Sequence, residues 1–176
     1  MKRIFIIILV LILAVVTISI YQSNENLERT YRLGDSGITI KISNAYKKVK
    51  NEQENSILSV YNNDKEISIN VVKVKDNFWA SEELEKRIDE YIRLISAANY
   101  DASIKNVKTS IIEKDGKEIA RTQFELEKKT GNQKVISLIS KNENKNIIIE
   151  ITGEIEKIDK NIENIEKIID SIRIKK

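Results

Sequence analysis

The chain has neither histidine nor cysteine, so serine, lysine, aspartate, glutamate and tyrosine are left to do any chemistry. Without histidine, a Ser-His-Asp or Cys-His nucleophilic site cannot be built. A structural zinc site of cysteine and histidine is excluded on the same ground. A Ser-Lys pair stays formally open, but no local arrangement of the two residues favours it. Paired carboxylates could do acid–base work. Here, however, the acids fall on helical faces four residues before a base: Glu82–Lys86, Glu83–Arg87, Asp89–Arg93, Glu156–Lys160 and Glu163–Lys167. That pattern predicts a solvated, self-paired face. The few glycines fall at turns, and none opens a phosphate-binding loop after a strand. No calcium loop of alternating Asp and Asn around a glycine is present, although an isolated Ca²⁺ site of carbonyls and carboxylates has no sequence signature. No catalytic, cofactor-binding or metal-ligating residue is therefore assigned. One local feature stands out for binding, the aromatic pair Phe78-Trp79, between a strand pattern and a helix pattern. Exposed, it is a candidate partner contact. Buried, Trp79 plugs the junction of helix and sheet.

The elements around these residues begin with Ile4–Ile20, an uncharged apolar run behind Met1-Lys2-Arg3. Its 17 residues span roughly 26 Å as a helix, slightly short of the ~30 Å hydrocarbon core. Tyr21 suits the far interface, and Lys2 and Arg3 hold the N-terminus in the cytoplasm. A single-pass anchor with an extracytoplasmic domain follows. The competing reading is a cleaved signal peptide, with Thr17-Ile18-Ser19 as its best cleavage site. Both export the domain. Without cysteine, lipoprotein processing is excluded. The expected division is an anchor or signal over 1–22, a linker over 23–33 and one domain over 34–176.

The chain carries 30 basic and 27 acidic residues, and setting aside Lys2 and Arg3 leaves 28 against 27. Such a balance, with both signs interspersed, argues against a nucleic-acid partner. The exported part is long enough for one real core, which must hold without disulfides.

Gly34-Asp35-Ser36-Gly37 predicts a turn into a half-buried strand, in which Ile38, Ile40 and Ile42 alternate with polar residues. Residues 44–55 predict a short strand or loop. Ser56–Asn62 and Glu66–Lys75 predict two strands joined by the hairpin loop Asn62-Asn63-Asp64-Lys65. In the second strand the apolar phase shifts between Val71 and Val72, which implies a bulge or a strand covered on both faces. Ser81–Ala98 reads as a helix, with Leu84, Ile88, Tyr91, Ile92 and Ile95 on one face and Ser81 as N-cap. Asp115-Gly116 is the strongest hairpin signal and opens a four-stranded meander over 104–152. Glu154–Ile174 reads as one closing helix. Its seam of Ile155, Ile158, Ile162, Ile165, Ile169 and Ile172 can pack on the domain's own sheet or pair two chains. The fold class is α+β: an antiparallel β-sheet covered by two main helices, preceded by one N-terminal transmembrane helix.

This order resembles the PsbP-like family, named for an extrinsic subunit of photosystem II and shared by many bacterial exported domains. The resemblance covers about Gly37 to Lys175. It rests on the opening strand GITIKIS, the hairpin ILSVYNNDKEISINVV, the helix SEELEKRIDEYIRLISAA, the central KDGKEIARTQFEL and the closing IEKIIDSIRIKK. Such domains often carry a proline and a tryptophan after the first strand, where this chain has Asn44 and Tyr46. The resemblance implies the fold and carries no functional residue across.

The functional expectation is a membrane-anchored, extracytoplasmic, non-enzymatic binding or accessory domain. It touches the membrane through Ile4–Ile20 and takes an unidentified protein, envelope or small-molecule partner, as a monomer or weak homodimer. Two alternatives stand beside it: an atypical His-free extracytoplasmic hydrolase, and a dimerising module that uses the C-terminal isoleucine seam.

Overall fold

The computed structural model describes residues 27–50, 55–75, 79, 83–142 and 145–175. The anchor segment Ile4–Ile20, Phe78 and the expected N-cap Ser81 lie outside the described residues. Among the described residues, no helix is long and apolar enough to cross a membrane.

Among the described residues, ten strands and three helices follow in order: β1 Glu28–Arg32, β2 Ile38–Ser43, β3 Lys47–Lys48, β4 Ser56–Asn62, β5 Ile67–Val74, α1 Leu84–Ala98, β6 Ser103–Lys114, β7 Lys117–Lys128, β8 Gly131–Asn142, β9 Lys145–Glu154, α2 Ile155–Lys160, α3 Ile162–Asp170 and β10 Arg173–Ile174. An antiparallel seven-stranded sheet runs β3-β4-β5-β9-β8-β7-β6, and a small sheet runs β1-β2-β10. The expected meander is strands β6 to β9. Its Asp115-Gly116 turn has φ of +53° and +74°, the pair of left-handed residues that a two-residue hairpin of this type requires. At the β4–β5 turn, Asn62 Oδ1 accepts from the amides of Asp64 and Lys65, both at 3.0 Å, so a side chain closes the loop.

The large sheet is covered on both faces. On one face, Ile67, Ile69, Val71, Ile136, Leu138, Ile149 and Ile151 pack against Ile38, Ile40 and Ile42 of β2 and against α2 and α3. On the other, Phe124, Val135, Ile139 and Ile148 pack against Ile88 and Tyr91 of α1. Val74 belongs to this second cluster while Val71 belongs to the first. The phase shift in β5 is thus a strand buried on both sides, and the bulge sits opposite, between Ser56 and Leu58 of β4.

Three expectations need correction. The linker over 23–33 is a strand from Glu28, which pairs with β2 and buries Tyr31 and Leu33. Its apolar pattern is too short to read alone and gains its meaning from the partner strand. The closing helix over 154–174 is two helices. Asn161, with φ −107° and ψ 13°, separates them, and the chain then turns into β10, which pairs with β2. A continuous rod could not follow the sheet surface and return to its edge. The break lets Ile158, Ile165, Ile169 and Ile172 all bury against the domain's own core, with Ile162 half-buried beside them. Finally, Arg87 does not lie on the solvated face of α1; it is buried, 1% exposed.

The polar faces of α2 and α3 are tied to the sheet by charge. Glu166 receives two bonds from the Arg121 guanidinium, at 2.5 and 3.0 Å, Asp170 pairs with Lys114 at 2.9 Å, and Asp159 pairs with Lys134. These three acids, outside the helical pairs expected from the sequence, meet cations of β7, β6 and β8.

Candidate functional site: a polar row beneath a helix

The registers of the large sheet bring one polar residue per strand into line. Ser59 of β4 lies beside Asn70 of β5, Asn70 beside Glu150 of β9, Glu150 beside Ser137 of β8, and Ser137 beside Thr122 of β7. Direct cross-strand partners point to the same face, and here that is the face carrying α1. A sheet face under a helix is ordinarily apolar, so five polar groups in a row are a departure from plain core packing.

Helix α1 addresses this row with one side chain. The Tyr91 hydroxyl donates to Glu150 Oε1 at 2.5 Å and lies 2.7 Å from Ser137 Oγ. With its proton committed to the carboxylate, the phenol oxygen accepts from Ser137. Burial first, then the Glu150 charge and the bond to it, raises the Tyr91 pKa far above the ordinary tyrosine value. The phenol is a fixed neutral donor. Its ring packs on Phe124, with centroids 6.2 Å apart at 60°. Beyond Glu150, Ser59 Oγ donates to Asn70 Oδ1 at 2.9 Å, with Ser56 Oγ 3.3 Å from Ser59 Oγ. Thr122 Oγ1 is buried with no hydrogen-bond partner among the described residues.

The row grades from dry to wet. Ser137 and Thr122 are fully buried under α1, whereas Asn70 and Glu150 are half-buried. One step along the strands, Tyr61, Ser68 and Thr152 form a second cross-strand line on the same face, with Ser68 and Thr152 hydroxyls bonded to each other. They open into a hollow of about 380 Å³ that is also lined by Glu66, Gln133, Gly153 and Glu154. Glu66 is half-exposed and pairs with Lys157 at 3.3 Å.

Trp79, one of the two candidate contact residues, is buried, 7% exposed, in the cluster under α1. The Arg87 guanidinium lies 5.8 Å from its ring centroid and donates to Asn146 Oδ1 at 2.9 Å. Desolvation lowers the Arg87 pKa. Trp79 therefore holds the corner where β5, β9 and α1 meet. The polar row escaped sequence reading because its members come from strands far apart in the chain. The single available signal was Tyr91, a residue with a polar tip on an otherwise aliphatic helix face. Among the described residues, no group of three or more acidic side chains converges to hold a metal.

An antiparallel sheet faced on one side by a long helix, and on the other by two short helices and a small three-stranded sheet, is the PsbP-like fold that the sequence resembles. Cyanobacterial PsbP from Synechocystis sp. PCC 6803 superposes with a TM-score of 0.67 at 11% identity, over 84% of this chain and 92% of that one. The Ran-binding protein Mog1p of Saccharomyces cerevisiae superposes with a TM-score of 0.61 at 8% identity, over 84% of this chain and 95% of that one. A Bacteroides thetaiotaomicron protein gives 0.52 at 13% identity, over 80% of this chain and 46% of that one. At such identities the likeness is one of fold. No protein-family model matches the sequence, and no curated protein matches it.

Proposed function

We propose that this chain is a membrane-anchored, extracytoplasmic, non-enzymatic binding domain, and that its partner occupies the hollow at the wet end of the polar row. The observation that carries the reading is the chemistry of that surface. Hydroxyls, amides and carboxylates from four neighbouring strands present fixed donors and acceptors on a rigid sheet, with Tyr61 as an aromatic wall. Such a lining recognises a polar segment by hydrogen bonding, and Glu154 adds a preference for a cationic group. The Tyr91, Ser137 and Glu150 contacts superficially suggest a nucleophile and its relay. Ser137, however, is fully buried beneath α1, and Tyr91 keeps its proton too tightly to act as a base. That arrangement suits a support that shapes the sheet from below. The apolar run Ile4–Ile20 supports the anchored, exported placement.

Two measurements test this reading. Fractionation of expressing cells with intact-mass analysis should return the full-length chain in the membrane; a mature mass lacking about the first 19 residues would replace the anchor by a cleaved signal. A photo-crosslinking amino acid at Tyr61 should give a discrete adduct in cells that disappears when Ser68→Trp fills the hollow. The same probe at Phe78 tests the aromatic contact expected there. No Tyr61 adduct, or one indifferent to Ser68→Trp, would refute the hollow as the binding surface.

A further inference from the structure

We propose that a second surface, the basic and aromatic groove beside β1, rests on the headgroups of anionic phospholipids. The groove encloses about 320 Å³ and is lined by Arg29, Tyr31, Asn44, Tyr46, Lys47 and Lys48. Three of the six are cations and none is an acid, in a chain whose overall charge is nearly balanced. The cations are exposed while both tyrosines are buried, so the rings form the floor and the charges form the rim. The Lys48 ammonium sits 5.7 Å from the Tyr31 ring centroid, and Lys47 donates to the Asn44 carbonyl at 2.8 Å. These contacts hold the two ammonium groups at the groove. Beside it stand two exposed large apolar side chains, Leu27 at 53% and Val49 at 47%. Leu27 is adjacent because its carbonyl accepts from the Asn44 amide at 2.7 Å, and Val49 follows Lys48 directly. Cations around exposed apolar side chains form the pattern of a surface that lies in a lipid interface.

The occupant follows from where the chain comes from, and here the inference rests on the anchored reading above. Only residues 21–26 separate Ile20, the last apolar residue of the anchor, from Leu27. Fully extended, that connection reaches about 25 Å. The groove is built on β1 itself, so it lies at the corner of the domain that the tether holds near the bilayer. A phosphate-bearing surface is then the nearest abundant anion. Each cation within a Debye length of such a surface strengthens association roughly 5-fold, so Lys47 and Lys48 together contribute about 25-fold.

The absence of cysteine allows a direct test in the full chain. A Lys50→Cys variant carries one environment-sensitive fluorophore next to the groove. It is reconstituted into vesicles of phosphatidylcholine alone, or of phosphatidylcholine with about one third phosphatidylglycerol, each doped with a headgroup spin-labelled lipid that quenches by contact. Quenching should be several-fold greater in the anionic vesicles. It should fall to the neutral level in high salt and in Lys47→Glu/Lys48→Glu, and part of the way in the milder Lys47→Gln/Lys48→Gln. Charge reversal at Lys128, on the large sheet, should leave it unchanged. Equal quenching in both lipids, or no response to either Lys47/Lys48 variant, overturns the proposal. So does loss of the effect on adding inorganic phosphate at constant ionic strength, which would assign the groove to a free anion. Alkaline extraction of the neutral vesicles separates the two readings. Release of the chain refutes the anchor. The groove then stands if the chain still floats with anionic vesicles in a manner sensitive to salt and to Lys47→Glu/Lys48→Glu, and falls if it does not.

Discussion

Replacing Tyr91 by phenylalanine removes one oxygen and leaves the ring in place. Packing on Phe124 is kept, so the change reads the polar row and not the apolar cluster. Two contacts disappear, the bond to Glu150 Oε1 at 2.5 Å and the 2.7 Å contact with Ser137 Oγ. A hydrogen bond to a charged acceptor is worth about 1.5–3 kcal/mol, and a buried hydroxyl left without its partner costs a further ~1–3 kcal/mol. Ser137 is fully buried, so water cannot easily replace the lost partner; Glu150 is half-buried and recovers part of its solvation. The expected loss is about 2–4 kcal/mol. Urea unfolding of the full chain in detergent micelles measures it through Trp79, the single tryptophan, which belongs to the same buried cluster. Ser137→Ala added to Tyr91→Phe removes the stranded hydroxyl. The double variant should therefore be more stable than the sum of the singles predicts, by about 1 kcal/mol or more. A Tyr91→Phe loss below about 0.5 kcal/mol, or strict additivity, would show that the row is not a coupled network and would remove its role as the support of the hollow.

Alkaline pH should probe the same residue. The folded Tyr91 pKa is raised above the ordinary 10.0, so its contribution is fully present below that value and is lost as pH rises beyond it. Unfolding midpoints should fall above pH ~10 in the parent, and less steeply in Tyr91→Phe. A Cβ at Gly153 would lie 3.0 Å from the Glu66 carbonyl oxygen, 3.3 Å from Ile67 Cγ1 and 3.4 Å from Ile158 Cδ1. Gly153→Val should therefore lift α2 from β9 at a cost of about 1–3 kcal/mol, measured by the same urea titration. Gly116 has φ of +74° with nothing near its Cβ direction, so Gly116→Ala should cost only the left-handed penalty of about 1–2 kcal/mol.

Strands whose residues alternate, or whose turn demands a particular residue, are legible in the sequence alone. Asp115-Gly116 located a hairpin because few other pairs tolerate two positive φ angles. The face of α1 was legible because Leu84, Ile88, Tyr91 and Ile95 keep helical spacing. The sequence could not reveal features whose cause lies across the fold. Tyr31 and Leu33 make too short a pattern to announce β1 until β2 is placed beside them. The isoleucines from Ile155 to Ile172 keep one spacing through the Asn161 break, because both helices face the same core. Arg87 looked like half of a surface pair, and only the corner formed by Trp79 and Asn146 accounts for its burial. The polar row is a product of register alone: Ser59, Asn70, Thr122, Ser137 and Glu150 share nothing in sequence.

Register also ties the two proposed surfaces together. Lys47 on the groove is the direct cross-strand partner of Tyr61 in the hollow, and Tyr61 in turn pairs with Ser68. Neighbouring strands are only ~4.8 Å apart, so the rim of the groove and the wall of the hollow are adjacent. The chain enters the small sheet where Glu28 meets Ser43 and leaves it where Ile174 meets Ile38, at opposite ends of β2. On the anchored reading proposed above, a tether at Leu27 would hold the groove end nearer the bilayer than the β10 end. With the groove against headgroups, as proposed, Tyr61 would stand one strand away from the membrane surface. A ligand reaching the hollow would then have to approach along that surface. This favours a partner that is itself embedded in or linked to the membrane, and the Tyr61 crosslinks should be found in the membrane fraction and not among soluble proteins.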